Sequence, residues 1–167
     1  MFKSLFLCYN LYEKRGVCMY LISSCLCGVN CKYSGGNNLN NKCVDLFKKG
    51  EAILICPEQL GGLPTPRTPA EIQGDVEGVL SGKNKIVTKD NIDVTREFLK
   101  GANETLHIAK LSNISKAILK DGSPSCGVNY VYDGSFNGIK IIGQGLTATI
   151  LKKNGIEVIS DIDLKGE

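Results

Sequence analysis

The stretch Met19–Cys31, MYLISSCLCGVNC, leads from a short apolar run directly into a loop that carries cysteine. The run Tyr20–Ile22 predicts a strand that ends at Ser23 and Ser24, with Cys25 immediately beyond them. Short apolar runs of this kind are typical of strands that are buried on both faces, as in a parallel sheet. The sequence therefore predicts that Cys25 lies just past the end of a sheet strand.

Two later segments repeat this arrangement. Ala52–Cys56, AILIC, is a second apolar run, and Cys56 closes it. Ala117–Lys120, AILK, predicts a third strand, which runs into the loop DGSPSCG that carries Cys126. The carboxyl ends of parallel strands lie at one edge of a sheet, where ligands bind in α/β proteins. We therefore expect Cys25, Cys56 and Cys126 to lie close together.

Helical patterns alternate with these strands. Residues 43–49 predict a short helix, and a repeat of apolar residues at helical spacing predicts a long helix that begins near Asp93 or Thr95. Residues 146–153 predict a third helix, and a strand at residues 156–159 follows it. This alternation predicts an α/β fold: a single domain with a mostly parallel sheet flanked by helices in a Rossmann-like, three-layer arrangement.

Two other segments carry weaker patterns. The alternating apolar positions of residues 73–88 predict a hairpin that turns at Gly82. Gly143–Gly145, GQG, precedes the third predicted helix, whose start would then be open to an anion. A tight turn explains these glycines equally well.

Composition narrows the class of protein. The 167 residues are enough for one domain with a buried core, and the net charge of +3 is mild. No basic stripe with interleaved aromatic residues indicates a nucleic-acid surface, so we do not expect a nucleic acid as partner. No apolar run reaches the roughly 18 residues of a membrane span, and no signal-peptide pattern precedes the eight cysteines. We therefore expect a cytoplasmic protein with reduced thiols, which bind metal or catalyse more often than they form disulfides.

The first eighteen residues differ in pattern from the rest of the chain. Residues 1–18 predict an N-terminal extension, with Met19 as an alternative start, or else an additional helix. The pattern of strands and helices begins only at Met19. The sequence therefore predicts that the functional domain is residues 19–167.

The cysteines leave several kinds of site open. Cys25, Cys27 and Cys31 form a C-x-C-x3-C pattern that places several metal ligands in one loop. Zinc would need a fourth ligand, and the only histidine, His107, falls within the predicted long helix. Four cysteines are predicted to be small buried hydrophobic residues: Cys8, Cys18, Cys27 and Cys43.

The other trio favours an iron–sulfur cluster. Cys25, Cys56 and Cys126 come from three separate strands and sit beside glycine or proline, where the backbone can pass close to a bulky inorganic group. Three thiolates would leave one iron of a [4Fe-4S] cluster open. An open metal position is what distinguishes a catalytic site from a structural one.

Five segments carry a resemblance to a known family. They are SSCLCGVNCKYSGG (23–36), CPEQLGGLPTPRTPAEI (56–72), DVTREFLKGA (93–102), ILKDGSPSCG (118–127) and GQGLTATILKKNGIEV (143–158). In this order they resemble the family catalogued as domain of unknown function 523, which is associated with thiouracil desulfidases. One position departs from the family pattern, which commonly has aspartate where this chain has Ser34, after Tyr33.

The resemblance implies both a cofactor and a reaction. It implies that residues 19–167 form a desulfidase-like domain with a [4Fe-4S] cluster on Cys25, Cys56 and Cys126. It also implies a non-redox, hydrolytic reaction on a small molecule. A thiolated nucleobase or nucleotide of the thiouracil type would lose its sulfur as sulfide and gain an oxygen from water.

Protic and charged side chains accompany the predicted ligands. Glu58 lies two residues after one of them and Ser123 three residues before another, so we predict that Glu58 is the catalytic base and that Ser123 orients the water or protonates the ring. Lys120 and Arg67 are candidates for binding a phosphate or a carbonyl group of the substrate. The structural alternatives are capping of backbone amides by Glu58, stabilisation of a turn by Ser123, and solvated charge at Lys120 and Arg67.

Two other functions stay open on the sequence. One is a metal or redox sensor whose cysteines bind iron or zinc without turnover. The other is a nucleotide-binding module whose cysteines are inert. The protic side chains in CPE and SPSC favour the enzyme, because a sensor does not need them beside its ligands.

Overall fold

A computed structural model of the chain describes residues 19–164. The predicted extension at residues 1–18, with Cys8 and Cys18, lies outside the described residues. Within residues 19–164, no helix is both long enough and apolar enough to cross a membrane.

The described part of the chain alternates between short strands and helices. Its strands are β1 (Tyr20–Ser23), β2 (Ala52–Ile55), β3 (Ala70–Gln73), β4 (Lys85–Thr88), β5 (Lys116–Leu119), β6 (Tyr130–Tyr132), β7 (Lys140–Ile142) and β8 (Glu157–Ser160). Its α-helices are α1 (Asn41–Lys48), α2 (Pro57–Leu60), α3 (Val76–Leu80), α4 (Thr95–Leu111) and α5 (Leu146–Lys153), and a 3-10 helix covers Ser24–Cys27.

Four of these strands form the central parallel sheet, in the order β2-β1-β5-β8. The register pairs Ser23 of β1 with Ile55 of β2, and Leu119 of β5 with Ser160 of β8. The carboxyl ends of the four strands therefore lie at one edge of the sheet. The predicted α/β fold with a parallel sheet flanked by helices is confirmed.

Successive residues of a strand point to opposite faces of the sheet, and both faces are covered. On one face, Leu21 belongs to a buried cluster with Ala109 of α4 and Leu151 of α5. On the other face, Ile22 belongs to a cluster with Cys43 of α1. Cys43 is fully buried there, as a small hydrophobic residue, which confirms the prediction for this cysteine.

Strands β3 and β4 form an antiparallel pair, but residues 73–88 do not form a simple hairpin. β3 begins earlier, at Ala70, and α3 lies between the two strands. Asp75 caps α3 by accepting a hydrogen bond from the N–H of Gly78 (2.6 Å), and Val79 is buried. The hairpin prediction was wrong because it missed α3. A helix of five residues with one buried side chain is too short to show a helical period in the sequence.

The start of α5 does not match the anion site suggested by Gly143–Gly145. The N–H groups of Leu146 and Thr147 donate to the carbonyl oxygens of Pro124 and Ser125, each at 2.9 Å. Because these donors are used within the protein, the anion-site prediction is wrong. The first turn of α5 instead holds the loop between β5 and β6 in place.

Helix α2 has no counterpart in the sequence prediction, and it packs closely against α4 through glycine. A Cβ atom at Gly101 of α4 would collide with the carbonyl oxygen of Pro57, the first residue of α2. A Cβ atom at Gly61, just after α2, would collide with the backbone of Glu97. The missing side chains at these two positions therefore let α2 lie directly against α4.

Adding a methyl group at Gly101 should cost about 3 kcal/mol, the upper end of the usual range for a closely packed site, because the Cβ would collide with backbone and not with a flexible side chain. Alanine regains roughly 1 kcal/mol over glycine within a helix. We therefore expect Gly101→Ala to destabilise the protein by about 2 kcal/mol. Urea unfolding followed by circular dichroism measures the change. Asn103→Ala, at an exposed position of the same helix, should stay within about 0.5 kcal/mol of the wild type. Equal stability of the Gly101→Ala and wild-type proteins would contradict the close packing of α2.

Candidate active site

The carboxyl edge of the parallel sheet borders a cavity of about 480 Å³. The three cysteines predicted at the ends of strands, Cys25, Cys56 and Cys126, all line it. The other predicted site residues line the same cavity: Glu58, Arg67, Lys120 and Ser123. The structure thus brings these seven residues together.

Cys25 lies in the 3-10 helix directly after β1, and only 8% of its surface is exposed. The side-chain amide of Asn38 donates a hydrogen bond to its sulfur (3.6 Å). Hydrogen bonding to the Cys31 side chain, and secondly to Asn38, lowers the pKa of Cys25 in spite of burial. These contacts favour the thiolate, which is the form that binds metal.

Cys56 follows β2 and stands immediately before Pro57, the first residue of α2. Hydrogen bonding to the Cys31 side chain lowers the pKa of Cys56 to about 7, and the backbone N–H of Gln59 acts in the same direction. Proline suits the first position of a helix because its missing N–H would have no partner there. The Cys-Pro sequence therefore ends the strand, starts the helix and places a readily ionised thiol at the cavity.

Cys126 is buried, with 6% of its surface exposed. Burial raises the pKa of its thiol well above the usual range. The hydroxyl of Ser23 donates to the sulfur of Cys126 (3.5 Å) and accepts a hydrogen bond from the N–H of Lys120 (3.1 Å). Ser23 therefore links the ends of β1 and β5 to this cysteine. A thiol must lose its proton before its sulfur can bind a metal.

A buried carboxylate fixes the loop that carries Cys126. Asp121 accepts hydrogen bonds from the N–H groups of Val128 (2.9 Å) and Asn129 (3.1 Å) and from the hydroxyl of Ser160 (2.8 Å). Burial raises the pKa of Asp121, but these donors together outweigh it, and the net pKa is lowered. Nothing in the sequence distinguishes Asp121 from an ordinary loop aspartate, so its role becomes visible only in the fold.

We expect Asp121→Asn to lower the free energy of unfolding by about 2–3 kcal/mol at neutral pH, because an amide cannot accept all of these hydrogen bonds and adds donors of its own. A carboxyl whose pKa is lowered by folding stabilises the protein above its unfolded pKa and loses that effect as the pH falls through the folded value. The difference between variant and wild type should therefore shrink in acid. Urea titrations at neutral and acidic pH measure it, with Asp45→Asn at an exposed position of α1 as control. A difference that is constant with pH would contradict the assignment.

Glu58 lies between a hydroxyl and a guanidinium group. Ser123 donates to its Oε1 (3.3 Å), and Arg67 donates to its Oε2 (2.5 Å) and forms an ion pair with it. Arg67 also donates to the carbonyl oxygens of Pro64 and Cys31, each at 3.1 Å, and only 7% of its side chain is exposed. These contacts favour a role for Arg67 in positioning Glu58 over the direct substrate contact suggested by the sequence.

Two further predicted residues have structural partners as well as access to the cavity. The hydroxyl of Ser123 accepts hydrogen bonds from the N–H groups of Ser125 (3.0 Å) and Cys126 (3.1 Å), so it also stabilises its turn. The ammonium group of Lys120 pairs with Asp161 (3.0 Å), and a quarter of the Lys120 side chain remains exposed. Neither residue is a fully solvated surface group.

Cys31 is a fourth thiol of the cavity, and the sequence left its role open. Only 1% of its surface is exposed, and its carbonyl oxygen accepts a hydrogen bond from the Cys56 thiol (3.8 Å). Cys27 is half-buried, and neither Cys27 nor Cys43 lines the cavity. The C-x-C-x3-C pattern therefore marks the right loop but includes one cysteine that does not reach the cavity.

Comparisons with known proteins identify the family of this chain. A family model described as 2-thiouracil desulfurase matches residues 20–163. Uncharacterized protein YbbK of Bacillus subtilis (strain 168) is 48% identical over 147 residues, which cover 87% of this chain and 97% of that protein. A solved structure of the [4Fe-4S]-dependent thiouracil desulfidase TudS (DUF523Vcz) matches with a TM-score of 0.79 at 39% identity, and the match covers 88% of this chain and 93% of that one. The resemblance found in the sequence is confirmed, and the chain belongs to the 2-thiouracil desulfurase family.

Proposed function

We propose that this protein is a [4Fe-4S]-dependent desulfidase that removes sulfur from a thiolated nucleobase or nucleotide of the thiouracil type and releases it as sulfide. One observation carries the proposal: Cys25, Cys56 and Cys126 come from three separate strand ends and line a single cavity that also contains Glu58. The family to which the chain belongs is described as 2-thiouracil desulfurase, and the similar TudS structure is that of a [4Fe-4S]-dependent enzyme.

The donor set fits a cluster better than a single ion. Within the described residues, no three or more His, Cys, Asp or Glu side chains are placed to hold one metal ion. A cluster differs because its thiolates bind separate irons around a larger inorganic body. His107, the only histidine of the chain, is exposed on α4 and does not line the cavity of these thiols, which argues against a cysteine–histidine zinc site. Cys25, Cys56 and Cys126 would be the cluster ligands.

A cluster held there would supply a Lewis-acidic iron for the soft sulfur of the substrate. The residues around it supply the proton chemistry. Glu58 takes a proton from water as the water oxygen bonds to the carbon that carries sulfur. The carbon–sulfur bond then breaks, so one water is consumed and one hydrogen sulfide is released, with no net oxidation or reduction. Arg67 holds Oε2 of Glu58, which leaves Oε1 beside Ser123 for this proton transfer.

Ser123 and Lys120 complete the proposed site. The Ser123 hydroxyl is within reach of Glu58 and would orient the water or pass a proton to the ring. Lys120, which Asp161 holds at the rim by their ion pair, would contact a carbonyl or phosphate oxygen of the substrate. Several aromatic side chains also line the cavity and suit a flat ring, among them Tyr33, Tyr130, Tyr132 and Phe136.

Anaerobic cluster reconstitution followed by incubation in oxygen-18 water tests the proposal, with 4-thiouracil and 4-thiouridine monophosphate as separate substrates. We expect sulfide in amounts equal to the base consumed, label in the product, and no sulfide from cluster-free protein. Bound iron with no sulfide from either substrate would support a sensor instead. A colourless, iron-free protein after reconstitution would support a module with inert cysteines.

A further inference from the structure

A second glutamate lines the cavity in addition to the one proposed as base. Glu71, in β3, is 8% exposed and belongs to the cavity lining. The next residue along the strand, Ile72, packs in the hydrophobic core. Because successive side chains of a strand point to opposite faces, β3 turns Glu71 toward the cavity. The chemistry proposed above gives this carboxylate no role.

One oxygen of Glu71 has a hydrogen-bond donor and the other has none. Its Oε2 accepts a hydrogen bond from the N–H of Phe136 (3.1 Å), which lies in the loop between β6 and β7. Within residues 19–164, no group donates to Oε1, and Glu71 forms no ion pair. No buried side-chain oxygen in this part of the chain lacks a partner, so Oε1 is within reach of solvent. Since Glu71 lines the cavity, Oε1 is an acceptor that a bound molecule can use.

The other carboxylates of the cavity have no such oxygen. Glu58 has a donor on each of its two oxygens. Asp121 likewise has donors on both oxygens. Among the acidic residues that the described part of the chain places in the cavity lining, only Glu71 has an oxygen without a hydrogen bond. A buried carboxylate of this kind needs a donor, and a ligand can supply it.

The contact between Glu71 and Phe136 also fixes an aromatic side chain of the cavity. Phe136 has a φ of 58°, a left-handed conformation that is uncommon for a bulky residue. Two residues on the same face of β3 hold its loop, Glu71 through the N–H of Phe136 and Gln73 through the carbonyl oxygen of Gly134 (2.9 Å). Glu71 and Phe136 together offer an acceptor and an apolar aromatic surface, which suit a flat ring with an N–H group at its edge.

The substrates of the proposed reaction share one donor that matches this acceptor. In a thiouracil ring, N3 lies between C2 and C4 and carries a hydrogen, so the N3–H is next to the thiocarbonyl group whether sulfur is on C2 or on C4. In a nucleotide N1 carries the sugar, which leaves the N3–H as the ring donor common to base and nucleotide. An ionised carboxylate only accepts hydrogen bonds, and bonds to it are stronger than those between neutral groups.

We propose that Oε1 of Glu71 accepts a hydrogen bond from the N3–H of the thiolated pyrimidine and thereby selects the ring. The inference rests on the proposed function, since it takes the class of substrate from there. A thiocytosine ring has a lone pair at N3 in place of the hydrogen, so two acceptors would face each other. Glu71 therefore makes the site specific for rings of the uracil type.

Binding of uracil and of 3-methyluracil to the reconstituted full-length protein, measured by isothermal titration calorimetry, tests this without turnover. Uracil keeps the N3–H and has oxygen where the substrate has sulfur. We expect the wild type to bind uracil at least about 10-fold more tightly than 3-methyluracil, the usual effect of a hydrogen bond to a charged group.

Glu71→Gln should bind uracil at least about 10-fold more weakly than the wild type does. The glutamine oxygen can still accept from the N–H of Phe136, but its NH2 group then faces the ring N–H. The affinity for 3-methyluracil should be nearly the same in both proteins. Gln73→Ala is the matched control, because Gln73 holds the same loop without lining the cavity, and it should keep the preference for uracil.

Three results would overturn the inference. One is equal affinity of Glu71→Gln and the wild type for uracil, and another is a wild type that binds both ligands equally or binds neither. The third is a Gln73→Ala protein that loses the preference as Glu71→Gln does, because the loop and not Oε1 would then be responsible. Sulfide release is measured separately. A wild type that prefers uracil as expected but releases no sulfide would support the Glu71 contact and overturn the proposed function.

Discussion

Glu58→Gln is expected to reduce sulfide release by at least about 10²–10⁴-fold, the usual contribution of a positioned proton acceptor, while the visible absorbance of the cluster stays unchanged. Glutamine has nearly the shape of glutamate but cannot take a proton from water at neutral pH. Its carbonyl oxygen can still accept the hydrogen bond from Arg67, so the buried guanidinium group keeps a partner. The loss should therefore fall on turnover and leave the folded site in place.

A matched control tests whether the loss of a paired carboxylate elsewhere in the protein also lowers activity. Glu77 is also paired with a cation, Lys153 at 2.6 Å, but this pair is exposed and outside the cavity. Glu77→Gln should release sulfide at the wild-type rate. Steady-state sulfide assays on both variants, each with its iron content measured, make the comparison. Full activity of Glu58→Gln would remove Glu58 from the mechanism.

Loss of any one of the three proposed ligands has the second large expected effect. Cys25→Ala, Cys56→Ala and Cys126→Ala should each lower the retention of iron and sulfide by more than about 100-fold, beyond the cost of losing a residue that only supports a ligand. A cluster left with two thiolates is exposed to solvent and loses iron. Release of sulfide from the substrate should also disappear, because the reaction is proposed to need the cluster.

The control for these variants is another cysteine from the same loop. Cys27→Ala removes a half-buried thiol that does not line the cavity, so the iron content and turnover of the wild type should be retained. Iron and acid-labile sulfide are measured after identical anaerobic reconstitution. A Cys126→Ala protein that keeps its full cluster would show that the buried thiol is not a ligand.

Much of the parallel sheet could be predicted from the sequence because its strands are short and nearly continuous in apolar residues. Runs such as Leu21–Ile22 and Ala117–Ile118 are buried on both faces of the sheet. A continuous apolar run of this kind is typical of a strand in a parallel sheet, so the sequence alone indicates the strand. The shared edge at which Cys25, Cys56 and Cys126 meet follows from parallel pairing, which is why three distant cysteines could be grouped in advance.

The parts that could not be predicted depend on contacts between distant segments. Helix α2 can pack against α4 because Gly101 has no side chain opposite Pro57. The local sequence around Pro57 does not indicate this contact. The hairpin of β6 and β7 has few buried residues, and Ile142 is 98% exposed. The apolar residues of β7 therefore do not indicate which strand it pairs with. The sequence suggests a substrate contact for Arg67 because it does not show that the loop after α2 folds back and buries the ion pair of Arg67 with Glu58.

Mössbauer spectroscopy of the anaerobically reconstituted protein, enriched in iron-57, tests most directly whether three thiolates hold a cluster and leave one iron available to the substrate. We expect one iron of each cluster to differ from the other three, and its signal alone to change when 4-thiouracil is added. Four equivalent irons that do not respond to 4-thiouracil would contradict the proposal, because every iron would then already have a protein ligand.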